Sequence, residues 1–281
     1  MAISLSTNTD TTAVVRNLDK TQRNLSSNIA HLSSGLRITR AADDAAGLAI
    51  SEQLKSVTRG LAQAQRNGLD GISMTQVAEG ALNEIHNSLS RMRELAVQSA
   101  NASQNDTTRD FINQEYSALK TEIDRISNST DFNGTKLLNT AGSFRYQVGA
   151  LALTSENSVA VSVADMNTSS LGGTVVGTSL AGTTVSTVGG SLEAISSIDR
   201  AISDVSTQRG RIGAAQNRLT FAIDNLSSAR ENLLAANSRI RDVDVASETS
   251  EFTRNQILSQ AGVAVLAQAN QLPAVALALL R

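Results

Sequence analysis

The chain has 281 residues and a formal net charge of −2, from 24 basic and 26 acidic side chains, so no overall charge bias favours nucleic acid or an anionic membrane. Cysteine is absent, which excludes disulfides, cysteine-ligated metals and cysteine nucleophiles. Aromatic residues make up only 2% and there is a single proline, which suits long Leu/Ile/Val/Ala-packed helices better than a thick globule, since an interior proline costs a helix roughly 3 kcal/mol.

The opening stretch, MAISLSTNTDTTAVVRNLDK, lacks a basic segment followed by an apolar one, so no Sec-type leader is expected. A 4,3 apolar beat then begins at Leu18, Gln22, Leu25, Ile29, Leu32 and Leu36 and predicts an amphipathic helix. It resumes at Ile50, Leu54, Val57, Leu61 and Ala64, and again at Leu82, Ile85, Leu89, Met92 and Ala96. A third helical segment follows at Ile112, Tyr116, Leu119, Ile123 and Ile126. Asn133-Gly134 is a turn signal. Phe144, Tyr146 and Val148 alternate, as do Val159, Val161 and Val163, which predicts a β-hairpin over about 142–164. Residues 169–191 carry no charged side chain and are rich in Gly, Ser and Thr. That composition predicts an exposed, flexible loop.

The longest beat runs from Ile198 through Ile202, Val205, Arg209, Ile212, Gln216, Leu219, Ile223, Leu226, Arg230, Leu233 and Asn237 to Ile240. A helix of that extent is on the order of 60 Å long, and a seam held at 3.5 residues per turn calls for helical partners. The tail continues it at Leu258, Ala261, Val265, Gln268, Leu272, Val275 and Leu279. No charge stands between Arg254 and Arg281, and a helix apolar nearly all round is one that expects to be surrounded. Gln260, Gln268, Asn270 and Gln271 interrupt it, so it is not a membrane span, which needs about 20 apolar residues. Pro273 falls within the beat and predicts a kink there or a short final helix starting near it.

No catalytic, cofactor or metal site is predicted. His31 and His86 lie far apart, each inside a helical pattern. The acidic pairs Asp43-Asp44 and Asp242/Asp244 read as helix boundaries or solvated faces, because no further convergent oxygen ligands are identifiable nearby. The glycines of RGRIG, residues 209–213, do not follow a strand as a phosphate loop would. The basic residues are scattered, without an interleaved aromatic platform for nucleic acid.

Several motifs in order resemble bacterial flagellins: LSSGLRI, ADDAAGLAIS, RNGLDGISMTQVAEGAL, MRELAVQSAN, EIDRISNSTDFNGTKLL, RGRIGAAQNRL, SRIRDVDVASE and ANQLPAVALALLR. Nearly the whole chain takes part, with the short Gly/Ser/Thr stretch in place of the family's variable outer domains. The resemblance implies a mainly α fold: long antiparallel coiled-coil-like helices formed by both chain ends, plus a small β-hairpin region. It implies an inner, channel-lining domain from 1–44 and 237–281 and a rod domain from 45–236. The implied function is a structural subunit that polymerises into the flagellar filament, and not an enzyme. The expected filament-core packing residues are then Leu18, Leu25, Ile29, Leu32, Leu36, Leu258, Val265, Leu272, Val275 and Leu279.

Partners implied by the same resemblance are other copies of the chain, an export chaperone at the C-terminal arm, and the filament cap and hook-junction proteins. Nucleic acid and membrane insertion are not expected. Export unfolded through the flagellar type III apparatus would place the protein outside the cell. Flagellins with RELAVQSAN-type helices are recognised by vertebrate Toll-like receptor 5, and the matching positions are Arg91, Leu95 and Glu115. Ser90 stands where some stimulatory members have Gln. The competing readings are the hook–filament junction protein, which shares similar chain ends, and a cytoplasmic coiled-coil signalling module. The latter would show matched arms meeting at a tight tip, with no hairpin or Gly-rich break.

Overall fold

The computed structural model describes the backbone of residues 9–150, 155–173 and 179–279, and the side chains of 11–150, 156–173 and 179–271. Among the described residues there are five α-helices: α1 (Thr9–Ser34), α2 (Ala45–Ala100), α3 (Asp106–Ser129), α4 (Val188–Arg241) and α5 (Val245–Leu279). Four short strands form two antiparallel pairs. The fold is therefore mainly α with small hairpins, and it divides into two compact units: residues 1–58 with 231–281, and residues 59–230.

In the first unit α1 packs on α5. The pairing is antiparallel, since Asn28 bonds to Glu248 and Asn255 while Leu18 meets Gly262. The two connections that turn the chain are tied to each other. Leu36 bridges Asp242, the Val243 N–H donates to the Gly35 carbonyl, and the Arg37 guanidinium donates to the Ile240 carbonyl. Arg241 adds an ion pair to Glu52 at 2.6 Å. The acidic pairs act at boundaries. Asp44 accepts from the Gly47 N–H at the start of α2, and Asp244 accepts from the Ala246 N–H at the start of α5. Helix α5 continues through Pro273, so no separate final helix begins there.

In the second unit the seam of α2 is continuous. Leu82, Ile85, Leu89, Met92 and Ala96 are buried. The gap in the apolar beat between Ala64 and Leu82 is bridged by Gly68, Gly71, Met74 and Ala78, all buried. A Cβ on Gly71 would lie 3.0 Å from the Tyr146 ring and 3.1 Å from Leu219. Glycine there lets the hairpin and α4 approach α2, and a hydrophobicity count cannot see it. On α4 the expected Ile198, Val205, Ile212 and Leu219 are buried, but between them Ala201, Gln208 and Ala215 turn inward, one residue before the expected Ile202, Arg209 and Gln216. Buried Gln208 is accommodated because its side-chain amide donates to the Ser162 carbonyl at 2.8 Å.

Asn133-Gly134 closes a tight hairpin between β1 (Asp131–Phe132) and β2 (Thr135–Lys136). Its φ values are 51° and 78°, the left-handed pair that an Asn-Gly turn supplies at least cost. The larger hairpin joins β3 (Gly142–Gln147) to β4 (Ser158–Val163), with Phe144 opposite Val161 and Tyr146 opposite Val159.

Within the Gly/Ser/Thr stretch, of which 174–178 lie outside the described residues, several side chains depart from the sequence expectation of an exposed loop. Leu171, Leu180, Thr183 and Val185 are buried. Thr168 donates both its N–H and its hydroxyl to Asp124. Lys120 donates to the carbonyls of Ala181 and Thr183, and Val185 N–H donates to Asn113. The Tyr116 hydroxyl lies 2.7 Å from that of Thr183. Burial raises the Tyr116 pKa against the opposing effect of that bond, and burial lowers that of Lys120 against the attraction of Asp124. Composition reports low side-chain bulk; it does not report that neighbouring helices satisfy the backbone of the segment.

Candidate functional site

The chemistry of this chain lies in its surfaces. The paired ends form the first. The face of α1 turned toward α5 carries Val14, Leu18, Thr21, Leu25, Asn28 and Leu32, each more shielded than its neighbours on the far side. Leu18, Leu25 and Leu32 on this face, and Leu36 beyond its end, are partly covered. Ile29 is exposed, because it lies one position past this seam. On α5 the covered positions are Phe252, Asn255, Ser259, Gly262, Leu266 and Ala269. That keeps a 3,4 alternation but is offset by one from the expected register. Leu258 and Val265 consequently face outward, 48% and 52% exposed, together with Ile257 and Val263. Leu272, Val275 and Leu279 lie outside the described side chains.

The offset has a visible cause. The covered stripe of α5 is largely small or polar, so it can approach α1 closely: a Cβ on Gly262 would stand 3.2 Å from a Leu18 methyl. The polar members are satisfied across the seam. Asn28 donates to Glu248 at 2.6 Å and accepts from Asn255 at 2.8 Å. Glu248 also lies 3.1 Å from His31 Nδ1. His31 is therefore a partnered seam residue. Asp43, on the adjoining turn, accepts from the Arg40 N–H and from the Thr39 hydroxyl and N–H. These bonds, Arg40 foremost, hold its carboxyl below its ordinary value.

The exposed side of α5 is the feature that remains to be accounted for. A lone amphipathic helix places polar residues toward solvent. Here the residues that α1 leaves uncovered include four large apolar ones. Among the described residues no helix is long and apolar enough to cross a membrane.

The second surface is the end of α2 against α3. Arg91 donates to Glu115 at 3.0 Å and to Glu94 at 2.9 Å, and all three are half exposed or more. Sequence spacing places Leu95 on the face of Arg91, but the structure separates them: Leu95 is 2% exposed. Four residues along a helix advance by about 40°, enough to carry a side chain from the flank into the core. Beneath this surface sits a group that the sequence reading missed. Arg109 is buried and donates to the carbonyls of Ser99, Asn101 and Gln104. Its charge meets the negative, unsatisfied C-terminal end of α2, which fixes the α2–α3 connection.

Comparison with known proteins bears on these surfaces. The family model for the bacterial flagellin N-terminal helical region matches residues 5–143, and that for the C-terminal helical region matches residues 195–280. A flagellin of Bacillus subtilis is 47% identical over 90% of this chain and 92% of its own length. The flagellar filament 33 kDa core protein of Treponema phagedenis is 43% identical over 95% of this chain and 96% of its own. A solved structure from Vibrio parahaemolyticus, described as a flagellar hook-associated protein, superposes with a TM-score of 0.59 at 15% identity, covering 71% of this chain and all of that one. At that identity it speaks for the fold alone.

Proposed function

The chain belongs to the bacterial flagellin family, and from that premise we propose that it is the structural subunit of a flagellar filament, working outside the cell. The observation that carries the reading is the apolar outer side of α5, formed by Ile257, Leu258, Val263 and Val265. Exposed apolar area of this kind on one helix marks a surface that a partner covers. A subunit that meets its own kind through two different patches builds an open helical array, and each copy can then cover the α5 of a neighbour. On this reading the two chain ends (1–44 and 237–281) form the channel-lining inner domain and 45–236 the rod domain. Leu258, Val265, Leu272, Val275 and Leu279 belong to contacts between copies, while Leu18, Leu25, Leu32 and Leu36 hold α1 to α5.

The same apolar arm needs covering before assembly. That supports a cytoplasmic chaperone at the C-terminal segment, followed by export through the flagellar apparatus to a growing end bounded by cap and junction proteins. The test is direct. Purified full-length protein is examined by negative-stain imaging beside a chain ending at Ile257. Full-length protein forms long fibres and the shortened chain stays monomeric with its unit 59–230 folded. Fibres from the shortened chain would contradict the assignment of the arm; discrete full-length dimers would contradict the filament.

A second role is supported by the exposed Arg91–Glu115 pair, which presents a fixed guanidinium and carboxylate from two helices to a partner such as Toll-like receptor 5. Leu95 serves beneath it as packing. In a receptor reporter assay Arg91→Ala lowers the response about tenfold relative to the native chain, the loss of one charged anchor at an interface. Equal responses, or none from either protein, would end this reading.

A further inference from the structure

On the unit formed by 59–230, the outer edge of the larger hairpin meets α4 at a cavity of about 330 Å³, bordered by Ala160, Ser162, Arg211 and Arg218. Ala160 stands directly opposite Arg145 in the strand register, and both are exposed, so a third basic residue lies on the same face of the hairpin, beside the cavity. None of the three arginines has a carboxylate partner among the described residues, although other arginines of this chain do. On α4 no acidic residue stands three or four positions from Arg211 or Arg218, so no helical neighbour can neutralise them. One turn past Arg218 is Phe221, 72% exposed, with exposed Asp224 a turn beyond it. A concave, uncompensated basic rim beside a bare aromatic ring is shaped for an acidic partner that brings an apolar side chain of its own.

The same unit displays that partner. Phe111 is 65% exposed and adjoins exposed Asp110, with Asp106 one turn before on the same side of α3. Asp106 gains from the helix N-terminus, but Asp110 has no base three or four residues away, and the adjacent Arg109 is buried and given to carbonyls. The two surfaces lie far apart. The Val185 N–H bonds to Asn113, which sets the start of α3 beside the start of α4 at Val188. Phe221 lies 33 residues further on (188 to 221), roughly 50 Å along the helix.

We propose that in the filament the Asp106–Asp110–Phe111 face of one copy docks into the Arg211–Arg218 cavity of the next, beside its Arg145 and with Phe111 against Phe221. The proposal rests on the filament reading and names one of its contacts. Complementary patches at the two ends of one unit cannot satisfy each other within a chain. They match head to tail, which propagates instead of closing, and charge complementarity fixes the register of the encounter.

The experiment is polymerisation followed by sedimentation at about 0.1 M salt, where screening acts over about 10 Å. It compares the native chain, Arg211→Glu/Arg218→Glu, Asp106→Arg/Asp110→Arg, and an equimolar mixture of the two variants, with helical content checked by circular dichroism. The native chain pellets. Each variant alone raises the critical concentration about tenfold or more, because like charges then face each other. The mixture pellets, because each variant offers the other a matching surface. Variants of native helical content that polymerise normally, or a mixture that stays soluble, overturn the proposal and leave the filament reading standing. A native chain that forms no polymer overturns both. Where a reversal lowers helical content, Arg211→Gln/Arg218→Gln replaces it, and an unchanged critical concentration then counts against the proposal.

Discussion

At Gly172 two independent constraints coincide. Its φ is +74°, a region that costs an L-residue about 1–2 kcal/mol, and a Cβ there would stand 2.7 Å from the Ser197 carbonyl. Its N–H also points to Asp204. Gly172→Ala therefore lowers the stability of the monomer by about 2–4 kcal/mol, combining backbone strain and overlap; a urea titration that matched the native midpoint would refute this. Asn133-Gly134 offers the contrast. That turn is legible in the sequence, because two adjacent residue types set their own backbone geometry. Gly172 is not, because its second constraint comes from α4, 25 residues away (172 to 197). Arg109 is a similar case, a cation that reads as solvated until the end of α2 is brought over it.

Among the elements, α5 shows how far periodicity reaches. The apolar beat marks it as a helix with partners, and it is one. The beat also picks out Leu258 and Val265 as filament-core packing positions without saying which partner covers them, and toward α1 the structure places Asn255, Ser259, Gly262 and Leu266. On a helix apolar nearly all round, hydrophobicity cannot rank one face above another. Close approach and satisfied amides decide it instead. Val265→Asn accordingly leaves helical content and the α1 pairing intact while weakening assembly. Losing about 1.5 kcal/mol of apolar burial raises the critical concentration about tenfold. A polymerisation curve identical to that of the native chain would show that Val265 stays in water in the filament.

For the molecule as a whole, shortening α5 and reversing the charge of the Arg211/Arg218 rim probe different levels. The first removes a largely apolar arm, whose contribution scales with area. The second leaves every apolar contact in place and changes only which copies fit together. By itself the sequence determined the helical class, the hairpins, the absence of cysteine chemistry and the family, because propensities, turn residues and repeat periods act between near neighbours in the chain. The tertiary structure alone decided which of two adjacent positions turns inward, as at Ala201 rather than Ile202. It also buried Leu171, Leu180, Thr183 and Val185 of the Gly/Ser/Thr stretch and drew Leu95 into the core. Adjacent helix positions differ by about 100° of rotation, and only the place of the partner, fixed by residues far away in the chain, says which of them is inside.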